Sequence, residues 1–416
     1  MIIWIIQTGE PLPIDEEPSR PMRTMNLTDA FIAAEHDVLI WAALFNHQKK
    51  EFRLKNENNT KNKDNITFRL INSTGYSKNV SLMRLYDHLI LAINFLTQVN
   101  KKGIKLPHFC FIGFPPIELA FVAILWCKWK KIKHNLDVKD LWPDYFLNNK
   151  SPLVRSIYKI IFFPYFCLSR WLMKYSDSIT APSNSYLENI CRLSGRTIRN
   201  RDIALPLTSK KGLENPKKTN VFGRDLELIF KKDFTIFCFI GSLSDAFNFT
   251  EVLKATEILV KKGKQFKVVF CGEGTNANYI KSFAKLNENV HFLGWCQKEK
   301  VDYIYSNSDI MIAPYKNSKN FEFNVPNKIV DAIVYGLPII STLSGEVDNL
   351  ISEHKIGLTT KDNYNNWGRS MELLIENKEL LNEMKINLNN LHNEKFSYDK
   401  VYNNYVQKIL NEINNS

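Results

Sequence analysis

The chain has 416 residues, 44% hydrophobic, with a formal net charge of +12. That length suffices for two domains with separate cores, and the composition is that of an ordinary globular protein. Seven cysteines, at 110, 127, 167, 191, 238, 271 and 296, show no close C-x-x-C pair. This odd, scattered set excludes a disulfide framework, gives a metal site no support, and points to reduced thiols in a cytoplasmic protein.

The charge is unevenly spread. Residues 1–211 carry 30 Lys+Arg and 18 Asp+Glu, a difference of 12, so the remainder is neutral. Nucleic acid is not expected, because no basic helix with base-stacking aromatics accompanies the excess. An anionic membrane surface fits better, since the same half carries aromatic-rich apolar segments beside its lysines; a solvated basic surface is the alternative.

In chain order, residues 2–6 read as a buried strand, too short to cross a bilayer. Gln7-Thr8-Gly9 follows as a turn. A helix is expected over 22–34, opened by Arg20 and Arg23, then a strand over 37–42 and a polar Asn- and Lys-rich loop over 49–64. An amphipathic helix spans 81–99, a strand 108–113 and a helix 117–129. A short strand, 136–138, leads to Asp140-Leu141-Trp142-Pro143. Residues 157–175 are apolar and aromatic but interrupted by Pro164, which argues for an interfacial rather than a spanning helix. A strand over 178–182 and a helix near 186–193 close this half.

The span 194–230 is polar and broken by Pro and Gly, and the interdomain linker is expected in its middle. It divides the chain into a first domain, 1–210, a second, 211–390, and a final helical segment, 391–416, expected to pack back toward the first. Strand–helix alternation resumes at 235–240, 249–262, 266–271, 277–287, 290–293, 301–307 and 310–313. Helices follow over 367–394 and 398–413. Alternation in both halves predicts an α/β protein with two doubly wound, Rossmann-like parallel sheets facing an interdomain cleft.

In such sheets ligands sit beyond the carboxyl ends of strands, so the loops after strands have priority. In the second domain these are Gly241-Ser242, Gly272-Glu273-Gly274, Gly294-Trp295 and the stretch after Ala313. There Pro326 suits a first helical turn, and Gly336-Leu337-Pro338 ends the helix before the next strand. The unpaired N–H groups near Asn327 and Lys328 form an anion site, with diphosphate the expected guest and Asp331 placed to accept from a sugar hydroxyl.

This ordered series resembles the nucleotide-sugar signature of the retaining, GT-B-fold glycosyltransferases of family 4. Asp140-Leu141-Trp142-Pro143 resembles the Asp-x-Trp-Pro of that family's O-antigen and capsule transferases. The resemblance implies donor contacts from Gly241, Gly272, Glu273, Gly274, Trp295, Pro326, Asn327, Lys328 and Asp331. Trp295 flanks the nucleobase or is a buried interdomain side chain. The family places two acids eight residues apart; Asp331 matches the second, while Glu322, nine residues before it, either replaces the first or leaves it missing. No base follows Gly241, so the diphosphate charge falls to Lys328 or, from the first domain, to Gly9, Arg20 and Arg23, although those arginines also read as surface residues. Asp140 is the candidate acid beside the acceptor, or a helix cap. Asp140, Glu322 and Lys328 make up the expected catalytic set.

The implied reaction moves a sugar, with retention, from a nucleotide diphosphate sugar, expected to be UDP-linked, to a glycan or lipid-linked oligosaccharide in surface polysaccharide synthesis. No cofactor or metal is implied. The expected place is the cytoplasm, at the inner face of the membrane. A nucleotide-sugar epimerase of the same fold and a non-catalytic sugar-nucleotide-binding relative are the alternatives.

Overall fold

A computed structural model describes every residue except 16–20, 54–59, 64–65, 148–149, 209, 211–223, 231–232, 317–320 and 415–416. The chain forms two compact units, Met1–Leu207 with Val401–Ser416, and Thr208–Lys400. Arg20 and the middle of the expected linker lie outside the described residues.

Unit 1 is built on an eight-stranded sheet. From one edge its strands are Ile203–Ala204, Ser178–Ala181, Lys133–Val138, Phe109–Phe114, Ile2–Ile6, Asp37–Ala43, Ile66–Ile71 and Thr60–Lys63. All neighbours are parallel except the last pair, which is antiparallel. Phe109–Phe114 is buried along its whole length, as a central parallel strand covered on both faces requires. Trp4 stacks on Trp126 at 5.2 Å and meets Trp41 edge-on at 5.3 Å, linking sheet to helix by geometry that aromatic quadrupoles favour.

The strand Ile66–Ile71 was not expected, because a polar, Asn-rich stretch surrounds a short apolar run. It pairs residue by residue with Asp37–Ala43, and that pairing supplies what local pattern lacks. The apolar segment around Pro164 forms two helices, Pro152–Ile161 and Phe163–Tyr175. The first buries none of its residues, whereas the second buries Ser169, Leu172 and Met173.

Unit 2 holds six parallel strands in the order Val290–Phe292, Phe266–Cys271, Thr235–Ile240, Ile310–Ala313, Ile339–Ser341, Gly357–Thr359. In chain order this is the 3-2-1-4-5-6 arrangement, whose direction reverses between Thr235–Ile240 and Ile310–Ala313. The helix expected over 367–394 is instead two, Tyr364–Glu376 and Lys378–Leu391. Asn377 breaks it, its side chain accepting from the Leu380 N–H at 2.9 Å to cap the second helix.

Candidate active site

The carboxyl ends of the unit 2 strands carry the glycine loops, and backbone bonds stitch those loops together. Gly241 N–H donates to Cys271 O at 2.8 Å, Leu243 N–H to Glu273 O at 2.8 Å and Gly272 N–H to Gly294 O at 2.7 Å. Gly241 has φ +126°, and a Cβ there would collide with the Lys328 ammonium. Gly274, at φ +152°, lies so close to the Leu243 backbone that a Cβ would overlap it. The spacing read in the sequence thus meets a steric demand at both positions.

Lys328 reaches this point from the first turn of the helix Asn327–Tyr335. Its ammonium donates to Ile240 O, the carbonyl that ends the central strand, and lies 4.3 Å from the Phe239 ring centroid and 5.4 Å from that of Phe247. Pro326 offers no side-chain cap, so the helix opens with N–H groups that have no intrahelical acceptor. A cation and a positive helix end therefore converge at the reversal point of the sheet, an arrangement suited to a diphosphate.

The remaining expected donor residues surround this centre unevenly. Asp331 is buried, and with burial itself as the larger cause it pushes the Tyr315 phenol upward. Glu322 has an exposed side chain, while its carbonyl accepts from Glu346 N–H at 2.9 Å. The Glu273 carboxylate lies over Gly294, and Trp295 is 54% exposed. Asn327 is exposed as well.

In unit 1 the sheet reverses between Ile2–Ile6 and Phe109–Phe114, and a concavity of about 220 Å³ opens at their carboxyl ends. Gly9, Glu10, Pro115, Lys139 and Asp140 line it, with Arg84 and His88 from the helix Leu82–Val99. Asp140 faces water at this wall, and no described residue donates a hydrogen bond to its carboxylate, so it is no helix cap. The protein packed around it raises its pKa, against the pull of Lys139 and Arg84.

Two expectations for this unit are overturned. Arg23 does not face a diphosphate: its guanidinium is 3% exposed, bonded to Asp137 Oδ1 and to Leu205 O, each at 2.5 Å. The helix start at Arg23 is not an open anion site either, since Glu10 Oε2 accepts from Thr24 N–H at 2.8 Å. Glu10 also pairs with Lys139. Burial would raise the Glu10 pKa, but the Lys139 charge and the bonds from Lys139 and Thr24 hold it below the usual value. Gly9 lines the concavity, yet a Cβ there would meet nothing within 4 Å.

Sequence reasoning did not single out Glu10, Lys139, His47, Tyr76 or Arg84, which also line the concavity. The last three stand in or beside stretches read as a polar loop and a plain amphipathic helix, with no local signal to mark them.

Among the described residues no group of His, Cys, Asp or Glu could hold a metal ion, and no helix is long and apolar enough to cross a membrane.

Residues 226–390 match the family model described as glycosyl transferases group 1. An uncharacterized glycosyltransferase of Haemophilus influenzae is 25% identical over 167 residues, 39% of this chain and 45% of the relative. The chain thus aligns with less than half of that relative's length. Sucrose-phosphate synthase from Thermosynechococcus elongatus is similar in structure, with TM-score 0.70, 12% identity and full coverage of both chains. Anabaena HepE, solved in complex with UDP, has TM-score 0.65 at 12% identity over 99% of each chain. The fold is GT-B, and the match to the glycosyl transferases group 1 model falls on most of unit 2.

Proposed function

We propose that the protein is a nucleotide-sugar glycosyltransferase of the family 4 kind, moving a sugar from a UDP-sugar to a glycan or lipid-linked acceptor with retention. The observation that carries this reading is the convergence of Lys328 and the helix start at Asn327 on the stitched glycine loops. Charge builds on the departing diphosphate, and a fixed cation and helix end stabilise it there without reorganising. Asp331 contacts the donor, Trp295 borders its base and Glu322 stands for the first acid of the pair. Asp140, raised in pKa and open to solvent, orients or deprotonates the acceptor hydroxyl. One oxygen of the leaving diphosphate shares that proton, and no metal takes part.

The decisive experiment incubates the protein with UDP-sugars, with and without a lipid-linked acceptor. Acceptor-dependent glycoside of retained configuration supports transfer. Sugar conversion without acceptor indicates an epimerase, and UDP binding without product indicates a non-catalytic relative.

The acceptor side is assigned to an anionic membrane surface at the inner face of the cell membrane. On the helix Pro152–Ile161, residues Leu153, Ile157, Ile160 and Ile161 fall on one face and are 46–76% exposed. The chain has no acid from 145 to 176, but carries Lys150, Arg155, Lys159, Arg170 and Lys174. Such a face suits the headgroup boundary of anionic lipid.

A further inference from the structure

His47, Tyr76 and Arg84 line a side of the unit 1 concavity that the proposed transfer reaction leaves unused, and Lys50 adjoins them. Tyr76 is the centre of this group, a buried ring whose hydroxyl is bonded to His47. Lys50 Nζ lies 4.4 Å from the ring centroid, and Arg84 Cζ lies 5.6 Å from the same ring. The Lys50 ammonium is also 3.2 Å from His47 Nδ1.

Both cations are held in place by neutral acceptors. Lys50 donates to Asn79 Oδ1 at 2.5 Å, and Arg84 Nη1 to Asn79 O at 2.8 Å. Arg84 Nε contacts His88 Nε2 at 3.4 Å. No described carboxylate forms an ion pair with either cation. The acids nearby are engaged elsewhere or stand apart. Asp87 accepts from Gly75 N–H at 2.6 Å and from the Thr74 hydroxyl, and Glu118 faces His88 and accepts from Tyr165. Asp140 feels the Arg84 charge from across the concavity.

The cost of this arrangement shows in the titration of its members. Burial, then Arg84, lowers the Lys50 pKa. Burial, then Lys50, Arg84 and His88, brings His47 down to about 4. Two like charges beside one aromatic ring repel one another, and a bound dianion would turn that repulsion into attraction. A carboxylate brings one negative charge; a phosphoryl group brings close to two and three acceptor oxygens, matching an ammonium beside a guanidinium fork.

We infer that Lys50, Arg84 and His47 form a subsite for a phosphoryl group on the acceptor. This rests on the reading that the unit 1 concavity takes the acceptor. At neutral pH His47 is uncharged and serves as a hydrogen-bonding partner while Lys50 and Arg84 supply the charge. The helix Leu82–Val99 turns Arg84 and His88 to the concavity while exposing Leu82, Tyr86, Leu89 and Ile93 along another face, so the same helix suits a phosphorylated amphiphile.

The test titrates the full chain with inorganic pyrophosphate at constant ionic strength, first with UDP saturating the donor site. The expected result is a second binding event, weakened at least about tenfold in Lys50→Ala and in Arg84→Ala, with Lys50→Arg retaining it and UDP affinity unchanged in all three. In a parallel arm, vesicles with and without phosphatidic acid separate the sources. Variants that lose only vesicle binding place the phosphoryl group on a lipid headgroup, and variants that lose pyrophosphate binding place it on a soluble or glycan-borne phosphate. Variants that match the wild type in both arms, or a wild type that binds neither probe, overturn the subsite. Failure of UDP binding alone would indict the donor reading instead, and pyrophosphate titration of Lys328→Ala without UDP then tests the subsite by itself.

Discussion

Glu10 Oε2 accepts a hydrogen bond from the backbone N–H of Thr24 at 2.8 Å, closing the start of the helix Arg23–Ala33 with a carboxylate from the chain's own first loop. In unit 1 the helix start that follows the first strand is therefore already neutralised. In unit 2 the residue before the helix Asn327–Tyr335 is Pro326, which brings no side-chain cap of its own. The two halves share strand–helix alternation, and the proposed function gives the second helix start the opposite role, that of an anion site.

Removing that cap should cost stability. Glu10→Gln is expected to lower unfolding free energy by about 1–2 kcal/mol, the scale of a lost cap with its dipole interaction. Because the folded pKa of Glu10 is depressed, its contribution is present above the unfolded carboxylate pKa and lost as pH falls through the folded value. Urea melts of both proteins from pH 7 to pH 3 should converge at the acid end. A constant gap would show that the carboxylate charge is irrelevant.

Arg23→Ala should act on stability and leave donor affinity alone. It strands Asp137 in the core, a loss of roughly 3–5 kcal/mol for a broken buried pair, partly offset by Lys139 at 3.6 Å and the Thr180 hydroxyl at 2.8 Å. Chemical denaturation and UDP calorimetry on the folded fraction check both halves. Weakened UDP binding at unchanged stability would return Arg23 to the donor site.

Lys328→Ala should reduce turnover about 100-fold or more, as for removal of one preorganised charge at a developing anion. Gly241→Ala should fall in the same direction, since its Cβ would displace the Lys328 ammonium from a backbone at φ +126°. Asp331→Ala should weaken donor binding by roughly 1–3 kcal/mol. Steady-state rates with calorimetry separate these effects; full activity in Lys328→Ala would remove the unit 2 centre from the reaction.

Cys296 should be the unusually acidic thiol. A hydrogen bond from Cys271, helped by the Lys300 charge against burial, lowers its pKa to about 7, while Cys271 is pushed upward by the same bond and by burial. Iodoacetamide labelling followed by peptide mass analysis should give half-maximal Cys296 reactivity near pH 7, moving up in Cys271→Ala. A midpoint near 9 in both proteins would dissolve the pair.

Membrane docking should depend on the exposed helix Pro152–Ile161. Replacing Leu153, Ile157 and Ile160 by serine should weaken binding to anionic vesicles, and raised salt should weaken it further, since each nearby base adds about 1 kcal/mol. Co-sedimentation indifferent to all three changes, or absent in the wild type, would refute the assignment.

The sequence by itself determined the alternation of strands and helices in both halves, the helix start at Pro326 and the glycine loops. These are signals written into neighbouring residues, through hydrophobic period, proline φ and the conformational freedom of glycine. The same local pattern misled where the partner was remote. Arg23 and Gly9 resembled an anion loop, but Arg23 meets Asp137 across 114 residues of chain and Glu10 fills the helix start. Strand Ile66–Ile71 lay hidden in polar surroundings until its register against Asp37–Ala43 defined it. Nothing in the sequence singled out Lys50 or Arg84, and only packing brings them to one ring at Tyr76. Which charges meet, and which are left to meet a ligand, depends on sheet order and loop path, and no short-range periodicity encodes either.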